Sequence, residues 1–244
     1  MRWHRRTAAL LCAAAFALAG CVSGADAMKP IPAGAANAVF AGGCFWCMEF
    51  DFESLPGVYE VEAGYTAGHA ANPTYYQVAT GGTGHTEAVR VYYDPAKLTY
   101  AQLLDYFWRH IDPTVKNRQF CDRGEQYRSG IYWQNEAERD AAESSRDALL
   151  DSGRFPVIYT EIAPATTFYR AEQYHQDYYK KNPVRYTYYR SGCGRDARVA
   201  EVWGTRQADA LRAEPESLSF QPMVPSDAPA LPHAVAPESN KLTQ

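Results

Sequence analysis

The 244-residue chain has no excess of positive charge, since 24 lysine and arginine residues stand against 28 aspartate and glutamate residues. With a net charge of −4 and scattered basic residues, it lacks the basic face of a nucleic-acid-binding protein. It also contains no glycine-rich signature of a dinucleotide-binding or phosphate-binding loop. Its longest apolar run, residues 8–20, is too short to cross a bilayer on its own. These absences argue against nucleic-acid binding and against a nucleotide-binding fold.

The middle of the chain has the composition of one folded domain. Hydrophobic residues make up 46% of the sequence, which is enough for a sizeable core. Once the two compositionally distinct ends are set aside, roughly 170 residues remain, numbered 37–206, the size of a single domain. We predict that this domain is a monomer.

The N-terminus has the pattern of a targeting segment. Three arginines at positions 2, 5 and 6 precede the apolar run, which ends in small residues directly before Cys21. This resembles a bacterial lipobox, so we expect residues 1–20 to be a lipoprotein signal peptide and Cys21 to carry the lipid. Residues 21–36 are then a tether. An ordinary secretory peptide cut after residues 25–27 is the alternative, and it predicts a soluble periplasmic protein.

A lipid anchor at Cys21 predicts a place in the cell envelope, facing the periplasm. Val22 rather than aspartate follows the lipid site, which favours the outer membrane. At the other end, residues 215–244 contain six prolines and no hydrophobic periodicity, so residues 207–244 are predicted to be a disordered, proline-rich tail.

Four cysteines remain within the predicted domain: Cys44, Cys47, Cys121 and Cys193. An even number of cysteines in an oxidising compartment can form structural disulfides. A domain of this size does not need such bonds for stability, so redox chemistry is the favoured use of these cysteines. The Cys44-x-x-Cys47 pair is also half of a zinc site. Because no second Cys-x-x-Cys or His-x-x-x-His follows, no metal is predicted.

The alternation of apolar and polar residues predicts strands and helices in one sheet. Strands are expected at 38–41, 58–63, 86–93, 130–133 and 157–162, and helices at 45–52, 101–110, 136–151 and 171–180. Thr99 and Asn135 have the residue types and positions of helix N-caps. The pattern alone indicates an α/β or α+β fold. Most of the seven tyrosines between positions 169 and 189 are expected to be packing residues with their hydroxyls at the surface, and none is assigned to catalysis.

Cys44 is the strongest candidate nucleophile. It follows a predicted strand and two glycines and precedes a predicted helix. A cysteine at a helix N-terminus lies at the positive end of the helix dipole, which favours the thiolate. Phe45 and Trp46 come next, so the sulfur should face an apolar wall. This arrangement suits a small apolar substrate that carries one polar atom.

The sequence Gly-Gly-Cys-Phe-Trp-Cys at 42–47 resembles the active-site signature of the A-type peptide methionine sulfoxide reductases. Further segments match the same family in order, at residues 64–68, 72–75, 83–89, 93–95 and 122–129. The resemblance covers residues 39–204. It implies a two-layer α+β sandwich with a ferredoxin-like core and a mixed sheet.

The implied reaction is reduction of the S epimer of methionine sulfoxide, free or in proteins. It passes through a cysteine sulfenic acid and then a disulfide, with no bound cofactor and a thioredoxin-like protein as electron donor. In an exported protein, this activity would repair oxidised proteins of the cell envelope. The rival readings are a general thiol–disulfide oxidoreductase that uses Cys44 and Cys47, and a metal-binding envelope lipoprotein. The first rival does not account for the side chains that surround the cysteine in the family.

The resemblance assigns Glu87 as the acid that hydrogen-bonds the sulfoxide oxygen. Burial against Phe45 and Trp46 should raise the pKa of this carboxyl and keep it protonated near neutral pH. His85 is the alternative acid, because the ordinary pKa of a histidine suits that role. Strand alternation places His85 and Glu87 on the same side, so the residues alone do not choose between them.

The resemblance also implies a substrate pocket. Phe45 and Trp46 enclose the methyl group, and the hydroxyls of Tyr75 and Tyr127 donate hydrogen bonds to the sulfoxide oxygen. Asp122 lies near the bound substrate. On the residues alone, the tyrosines can equally be core residues and Asp122 a turn residue.

The thiol that resolves the sulfenic acid is least fixed by the sequence. Cys193 lies between two glycines, whose flexibility favours it as the resolving thiol. Cys47 is one helical turn from Cys44 and is the alternative or a relay. The commonest family form has glycine at position 47 and a cysteine near position 79, where this chain has Ala79. Cys121 is adjacent to a predicted pocket residue and could join the relay, but the favoured expectation is a small buried packing residue.

Overall fold

The computed structural model describes residues 30–204. The predicted signal peptide, the lipidation site Cys21 and the predicted tail lie outside the described residues. No helix between residues 30 and 204 is both long and apolar enough to span a bilayer.

The described residues form an α+β fold around a six-stranded mixed sheet. The strands, in chain order, are β1 (Ala36–Gly42), β2 (Val58–Thr66), β3 (Thr86–Tyr93), β4 (Arg118–Gln119), β5 (Asp122–Arg123), β6 (Ser129–Trp133), β7 (Glu161–Pro164) and β8 (Tyr169–Arg170). The sheet has the order β7-β6-β1-β3-β2-β8, while β4 and β5 form a separate short hairpin. All neighbours in the large sheet are antiparallel except β6 and β7, which are parallel.

The helices of the described chain connect these strands and form its C-terminal part. They are α1 (Phe45–Glu53), α2 (Tyr75–Ala79), α3 (Tyr100–Trp108), α4 (Glu136–Asp151), α5 (Tyr178–Lys181), α6 (Pro183–Gly192) and α7 (Arg195–Trp203), with a 3-10 helix at Glu125–Tyr127. The central strands and helices follow the sequence β1-α1-β2-β3-α3-β6. Their four strands lie side by side in the order β6-β1-β3-β2.

The main core lies between one face of the sheet and the helices. Successive residues of β1 point to opposite faces, so Phe40 faces the helices. Its ring stacks at 5.2 Å from Phe52 of α1 and at 5.1 Å from Phe107 of α3. All three side chains are fully buried. Truncation of one such ring to alanine costs about 3–5 kcal/mol of stability, so this stack holds α1 against the sheet.

The opposite face of the sheet carries a smaller apolar cluster. Val39 and Ala41 of β1 and Tyr132 of β6 are buried there. The segment that leads from β7 to β8 covers them with Ala165 and Phe168. The helices of the main core are therefore concentrated on one side of the sheet.

Several local predictions are confirmed. Helix 136–151 has the predicted bounds, and the strand at 86–93 also matches. The Asn135 side chain accepts a hydrogen bond from the backbone N–H of Glu138 at 3.0 Å. The Thr99 hydroxyl accepts one from Gln102 at 3.2 Å within a capping box. Both residues act as N-caps, as expected.

The helix predicted at 171–180 is wrong. Only Tyr178–Lys181 is helical in this region, and Asp177 just before it has a left-handed φ of 53°. The side chain of Gln176 donates to the carbonyl of Ala63 at 2.9 Å and accepts from its N–H at 3.0 Å. This pairing with the edge of β2 replaces helical hydrogen bonding, because tertiary contacts override a weak local helix preference.

The strand predicted at 157–162 is displaced toward the C-terminus and begins at Glu161. The backbone N–H of Tyr159 donates instead to the carbonyl of Pro113 at 2.8 Å. The apolar residues just before β7 therefore bind a loop and not the sheet. Helices α6 and α7 were not expected from the tyrosine-rich sequence.

Candidate active site

Cys44 lies at the junction of β1 and α1. It is the N-cap of α1, and its carbonyl accepts the backbone N–H of Met48 at 3.3 Å. Gly43 has a φ of +83°, which disfavours any side chain there. A Cβ on Gly42 would lie 2.5 Å from the sulfur of Met48. The two glycines are thus needed for the sharp turn that sets the sulfur of Cys44 at the first turn of the helix.

Glu87 lies beside this turn, on β3 next to β1. Its side chain is 2% exposed, and Oε2 accepts a hydrogen bond from the backbone N–H of Phe45 at 3.0 Å. Burial raises the pKa of this carboxyl to about 8, against the lowering effect of the Phe45 hydrogen bond. Glu87 is therefore largely protonated at neutral pH, as expected for a proton donor.

His85 has a different role from Glu87. Its Nδ1 accepts the backbone N–H of Gly68 at 3.2 Å, and its Nε2 lies 2.7 Å from the carbonyl of Ala70. Both ring nitrogens are thus engaged with the backbone between β2 and α2. His85 holds this segment, and the carboxyl of Glu87 is the acid next to Cys44.

A small cavity of about 80 Å³ opens at the sulfur of Cys44. It is lined by all the predicted pocket residues and one more: Cys44, Phe45, Trp46, Tyr75, Glu87, Asp122, Tyr127 and Tyr189. The cavity joins one buried thiol and one buried carboxyl to aromatic walls and phenol hydroxyls. Its size fits a methyl group and one polar oxygen, and not a whole amino acid.

The tyrosines of the cavity remain protonated hydrogen-bond donors at neutral pH. Burial raises the pKa of Tyr75 to about 12, and the charge that Glu87 carries once it ionises at higher pH acts in the same direction. Burial and Glu87 also raise the pKa of Tyr127. Tyr75 is fixed because its backbone N–H donates to Glu172 at 2.8 Å, and Tyr127 ends the 3-10 helix.

Tyr189 is the pocket residue that the sequence did not reveal. Its hydroxyl donates to Oδ2 of Asp122 at 2.5 Å, which joins α6 to the β4–β5 hairpin. Burial raises the pKa of Asp122, although the Tyr189 hydrogen bond opposes this. Tyr189 was one of seven tyrosines assigned to packing. Only the bounds of α6 show that this one faces Cys44.

Comparison with known proteins identifies the arrangement. The family model described as peptide methionine sulfoxide reductase matches residues 36–207. The chain belongs to this family. It is 52% identical to a peptide methionine sulfoxide reductase MsrA 2 of Caulobacter vibrioides, over 78% of this chain and 96% of that protein. It is 50% identical to an MsrA of Bacillus licheniformis, over 69% of this chain and 94% of that protein.

Solved structures agree with this assignment. Methionine sulfoxide reductase A of Corynebacterium diphtheriae is similar, with a TM-score of 0.57, 36% identity and coverage of 63% of this chain and 77% of that one. Reduced Mxr1 from Saccharomyces cerevisiae has a TM-score of 0.60 and 32% identity, over 64% of this chain and 91% of that one. The protein is thus a peptide-methionine (S)-S-oxide reductase, which reduces the S epimer of methionine sulfoxide.

The reductase does not hold Cys44 as the predicted low-pKa thiolate. Burial raises the pKa of the Cys44 thiol well above its ordinary value, and its hydrogen bond with Cys47 adds to this. That same hydrogen bond lowers the pKa of Cys47, and the charges of Arg195 and Arg190 act with it. Burial at the bottom of the cavity therefore outweighs the helix dipole at Cys44. The more acidic thiol of the pair is Cys47.

The other two cysteines of the reductase form a disulfide, Cys121–Cys193, across 72 residues of sequence. Cys121 is exposed, so its predicted role as a buried packing residue is wrong. The bond joins the β4–β5 hairpin to the end of α6. Its Cys193 sulfur lies 3.9 Å from Oδ2 of Asp122, directly behind the cavity.

One group of the described residues has the composition of a metal site. The ligand atoms of Cys121, Asp122 and Cys193 lie within 4.8 Å of one another. A disulfide, however, offers no thiolate to a metal. The prediction that the reductase uses no metal stays a prediction.

Proposed function

We propose that the reductase acts through Cys44 as nucleophile, Glu87 as acid and Cys47 as the first resolving thiol. The observation that carries this proposal is the single small cavity shared by the Cys44 sulfur and the Glu87 carboxyl. Phe45 and Trp46 would hold the substrate methyl group. Tyr75 and Tyr127 would donate to the sulfoxide oxygen as charge develops on it, and Asp122 would stand beside the bound substrate.

The first step transfers oxygen from the substrate to Cys44. The Cys44 sulfur attacks the sulfoxide sulfur, Glu87 protonates the oxygen, and the proton of the Cys44 thiol passes to Glu87. The oxygen then moves to Cys44. Methionine leaves and a Cys44 sulfenic acid remains, so the substrate gains the two electrons that Cys44 loses.

The second step forms a disulfide. Cys47 attacks the sulfenic sulfur, water leaves, and a Cys44–Cys47 bond remains. Two observations support Cys47: its hydrogen bond with Cys44, and the pKa of its thiol, which that bond and the charges of Arg195 and Arg190 lower from its ordinary value. Cys193, the resolving thiol favoured by the sequence, is bonded to Cys121 in this structure. We assign the Cys121–Cys193 pair to a later exchange, between the active site and the external donor.

Mapping the disulfides by mass spectrometry after one turnover tests this order. The wild-type protein and its Cys47→Ser and Cys193→Ser variants would each be reduced and given one equivalent of methionine sulfoxide. We expect Cys44–Cys47 in the wild type and in Cys193→Ser. A Cys44–Cys193 bond in the wild type, formed before any Cys44–Cys47 bond, would make Cys193 the first resolving thiol.

We propose a thioredoxin-like protein as the donor, because two-electron reduction of a protein disulfide by dithiol exchange needs no bound cofactor. The rival assignment as a general thiol–disulfide oxidoreductase leaves Glu87 and the cavity without a role. The metal-binding rival also leaves them without a role.

We further infer that the reductase repairs oxidised proteins of the cell envelope, from a lipid anchor at Cys21. The support is the sequence pattern of residues 1–21. For the fold, the strand order β6-β1-β3-β2 and the helices on one face support a ferredoxin-like, two-layer sandwich as its core. The monomeric state stays a prediction.

A further inference from the structure

A second, larger concavity adjoins the catalytic cavity. It measures about 500 Å³ and lies next to the active site, because Trp46, Tyr75 and Tyr189 line both. Its remaining walls include Tyr174, His175, Tyr178 and Tyr188. We call this concavity the aromatic groove. A substrate whose side-chain tip occupies the small cavity must extend its other atoms past the shared walls.

The aromatic groove presents large ring surfaces to solvent. Tyr188 is 83% exposed and Tyr174 is 58% exposed. The rings of Trp46 and Tyr178, which also line the groove, stack on each other with their centroids 3.7 Å apart. Exposed aromatic side chains that converge on a reaction site are typical of a recognition surface.

His175 adds an unpartnered hydrogen-bonding atom to this groove. Its Nδ1 accepts the indole N–H of Trp46 at 3.0 Å. Since an indole nitrogen only donates, Nδ1 carries no proton and the neutral ring is protonated at Nε2. Burial lowers the pKa of His175 to about 4, so the ring is neutral at pH 7. Among residues 30–204, Nε2 has no hydrogen-bond partner, although the side chain is 2% exposed.

A buried donor without a partner is costly, and a ligand acceptor relieves that cost. The Tyr174 ring lies 4.2 Å from the His175 ring. Tyr174 is mostly exposed, and both residues line the aromatic groove, so a ligand in the groove lies beside the His175 ring. Peptide carbonyls are acceptors that every polypeptide substrate carries along the chain on both sides of its methionine.

We propose that the aromatic groove binds the polypeptide segment that flanks the oxidised methionine. His175 Nε2 donates to a backbone carbonyl of that segment that lies beyond the methionine's own two peptide groups, a carbonyl that N-acetyl methionine sulfoxide lacks. Tyr174 and Tyr188 contact an aromatic or large apolar side chain next to the methionine. The groove thereby favours methionine sulfoxide that has aromatic neighbours over methionine sulfoxide between small residues. This inference rests on the proposed use of Cys44 in the adjoining cavity.

Three substrates distinguish binding in the aromatic groove from reaction in the small cavity. They are N-acetyl methionine-(S)-sulfoxide, a pentapeptide with glycine on both sides of the methionine sulfoxide, and a pentapeptide with tyrosine on both sides. The full chain is assayed with dithiothreitol, which removes any effect on a protein donor. Turnover of the N-acetyl substrate by the wild type tests the cavity alone. For the wild type we expect kcat/KM about tenfold higher on the tyrosine peptide than on the glycine peptide.

The variants locate this preference. Tyr188→Ala and Tyr174→Ala should remove the preference for tyrosine and leave kcat/KM for the N-acetyl substrate unchanged. His175→Asn keeps an acceptor near Trp46 and removes the Nε2 donor. It should lower kcat/KM about fivefold on both peptides and leave the N-acetyl substrate unaffected. Tyr159→Ala, a half-exposed tyrosine that lines neither cavity, is the matched control and should change nothing.

Three results would overturn the proposal. The first is equal wild-type kcat/KM on the two peptides. The second is an equal loss in the groove variants on all three substrates, which would indicate a structural effect on Trp46. The third is an unchanged peptide kcat/KM together with a raised KM for a thioredoxin donor, which would assign the groove to the reductant. Wild-type inactivity on the N-acetyl substrate would instead contradict the proposed function of the cavity.

Discussion

The carboxylate of Glu87 accepts the backbone N–H of Phe45 at 3.0 Å, which joins the acid on β3 to the first turn of the helix that carries Cys44. The relationship fixes the proposed proton donor and the proposed nucleophile relative to each other without a direct bond between their side chains. It also leaves the second carboxyl oxygen, Oε1, available to the substrate oxygen.

Glu87→Gln should slow the formation of methionine in a single turnover by about 10²–10⁴-fold. The amide can still accept from Phe45 and donate to the sulfoxide oxygen, but it cannot deliver a proton. Substrate binding should change much less than the rate. Rapid quench of a stoichiometric reaction measures the rate, and its dependence on substrate concentration measures binding.

The wild-type single-turnover rate should also fall as pH rises through about 8, because the Glu87 carboxyl then loses the proton that it donates. Glu49 supplies the control, since burial raises its pKa to about 8 as well and it does not line the cavity. Glu49→Gln should keep the wild-type rate and pH profile. An unchanged rate in Glu87→Gln would mean that solvent or another group supplies the proton.

Glu49 makes a separate prediction for stability. Its Oε1 accepts the backbone N–H of Asp177 at 2.8 Å, while Oε2 is buried without a partner among the described residues. Burial raises the pKa of Glu49 to about 8, above the value of about 4.5 that it has in the unfolded chain. The contribution of Glu49 to folding stability is therefore fully present below about pH 4.5, and it is lost as pH rises toward about 8.

Glu49→Gln should therefore raise the free energy of unfolding at pH 8 by about 1–3 kcal/mol and change it little at pH 5. Urea unfolding at the two pH values measures the difference. Equal effects at both pH values would show that the gain in stability does not come from removal of the negative charge of Glu49.

Cys44→Ser should abolish reduction, whereas Cys193→Ser should still release about one methionine per enzyme in a single turnover, because attack precedes resolution. Product analysis after mixing reduced enzyme with excess substrate measures this yield. With a thioredoxin donor, Cys193→Ser should turn over more slowly than wild type. Full multi-turnover activity of this variant would remove Cys193 from the relay.

The sequence was sufficient for the parts of the site that are contiguous motifs. Residues 42–47 and Glu87 lie at or beside β1, α1 and β3, whose apolar alternation is strong, and the structure brings them together at one cavity. Tyr189 could not be identified, because its role depends on the bounds of α6 within a run of seven tyrosines. The Cys121–Cys193 bond spans 72 residues, and spacing does not determine such pairings.

The raised pKa of Cys44 was missed for a related reason. The helix position is visible in the sequence, whereas burial of the sulfur depends on side chains from β3, the 3-10 helix and α6. The helix predicted at 171–180 is wrong for a similar reason. The side chain of Gln176 hydrogen-bonds the backbone of Ala63, and this long-range contact overrides the local helical preference of the segment.

Cys21→Ser should release the protein from the membrane without loss of catalytic activity. The positively charged N-terminus and the small residues before Cys21 predict acyl chains on that cysteine, and more than one chain anchors a domain stably. The catalytic cavity is built wholly from residues between 44 and 189, so it should function without the anchor. Envelope fractionation with a lipid-labelling control, combined with an activity assay of each fraction, measures both properties. Wild-type protein found soluble in the periplasm, with its N-terminus near Met28, would replace the lipoprotein assignment with ordinary secretion.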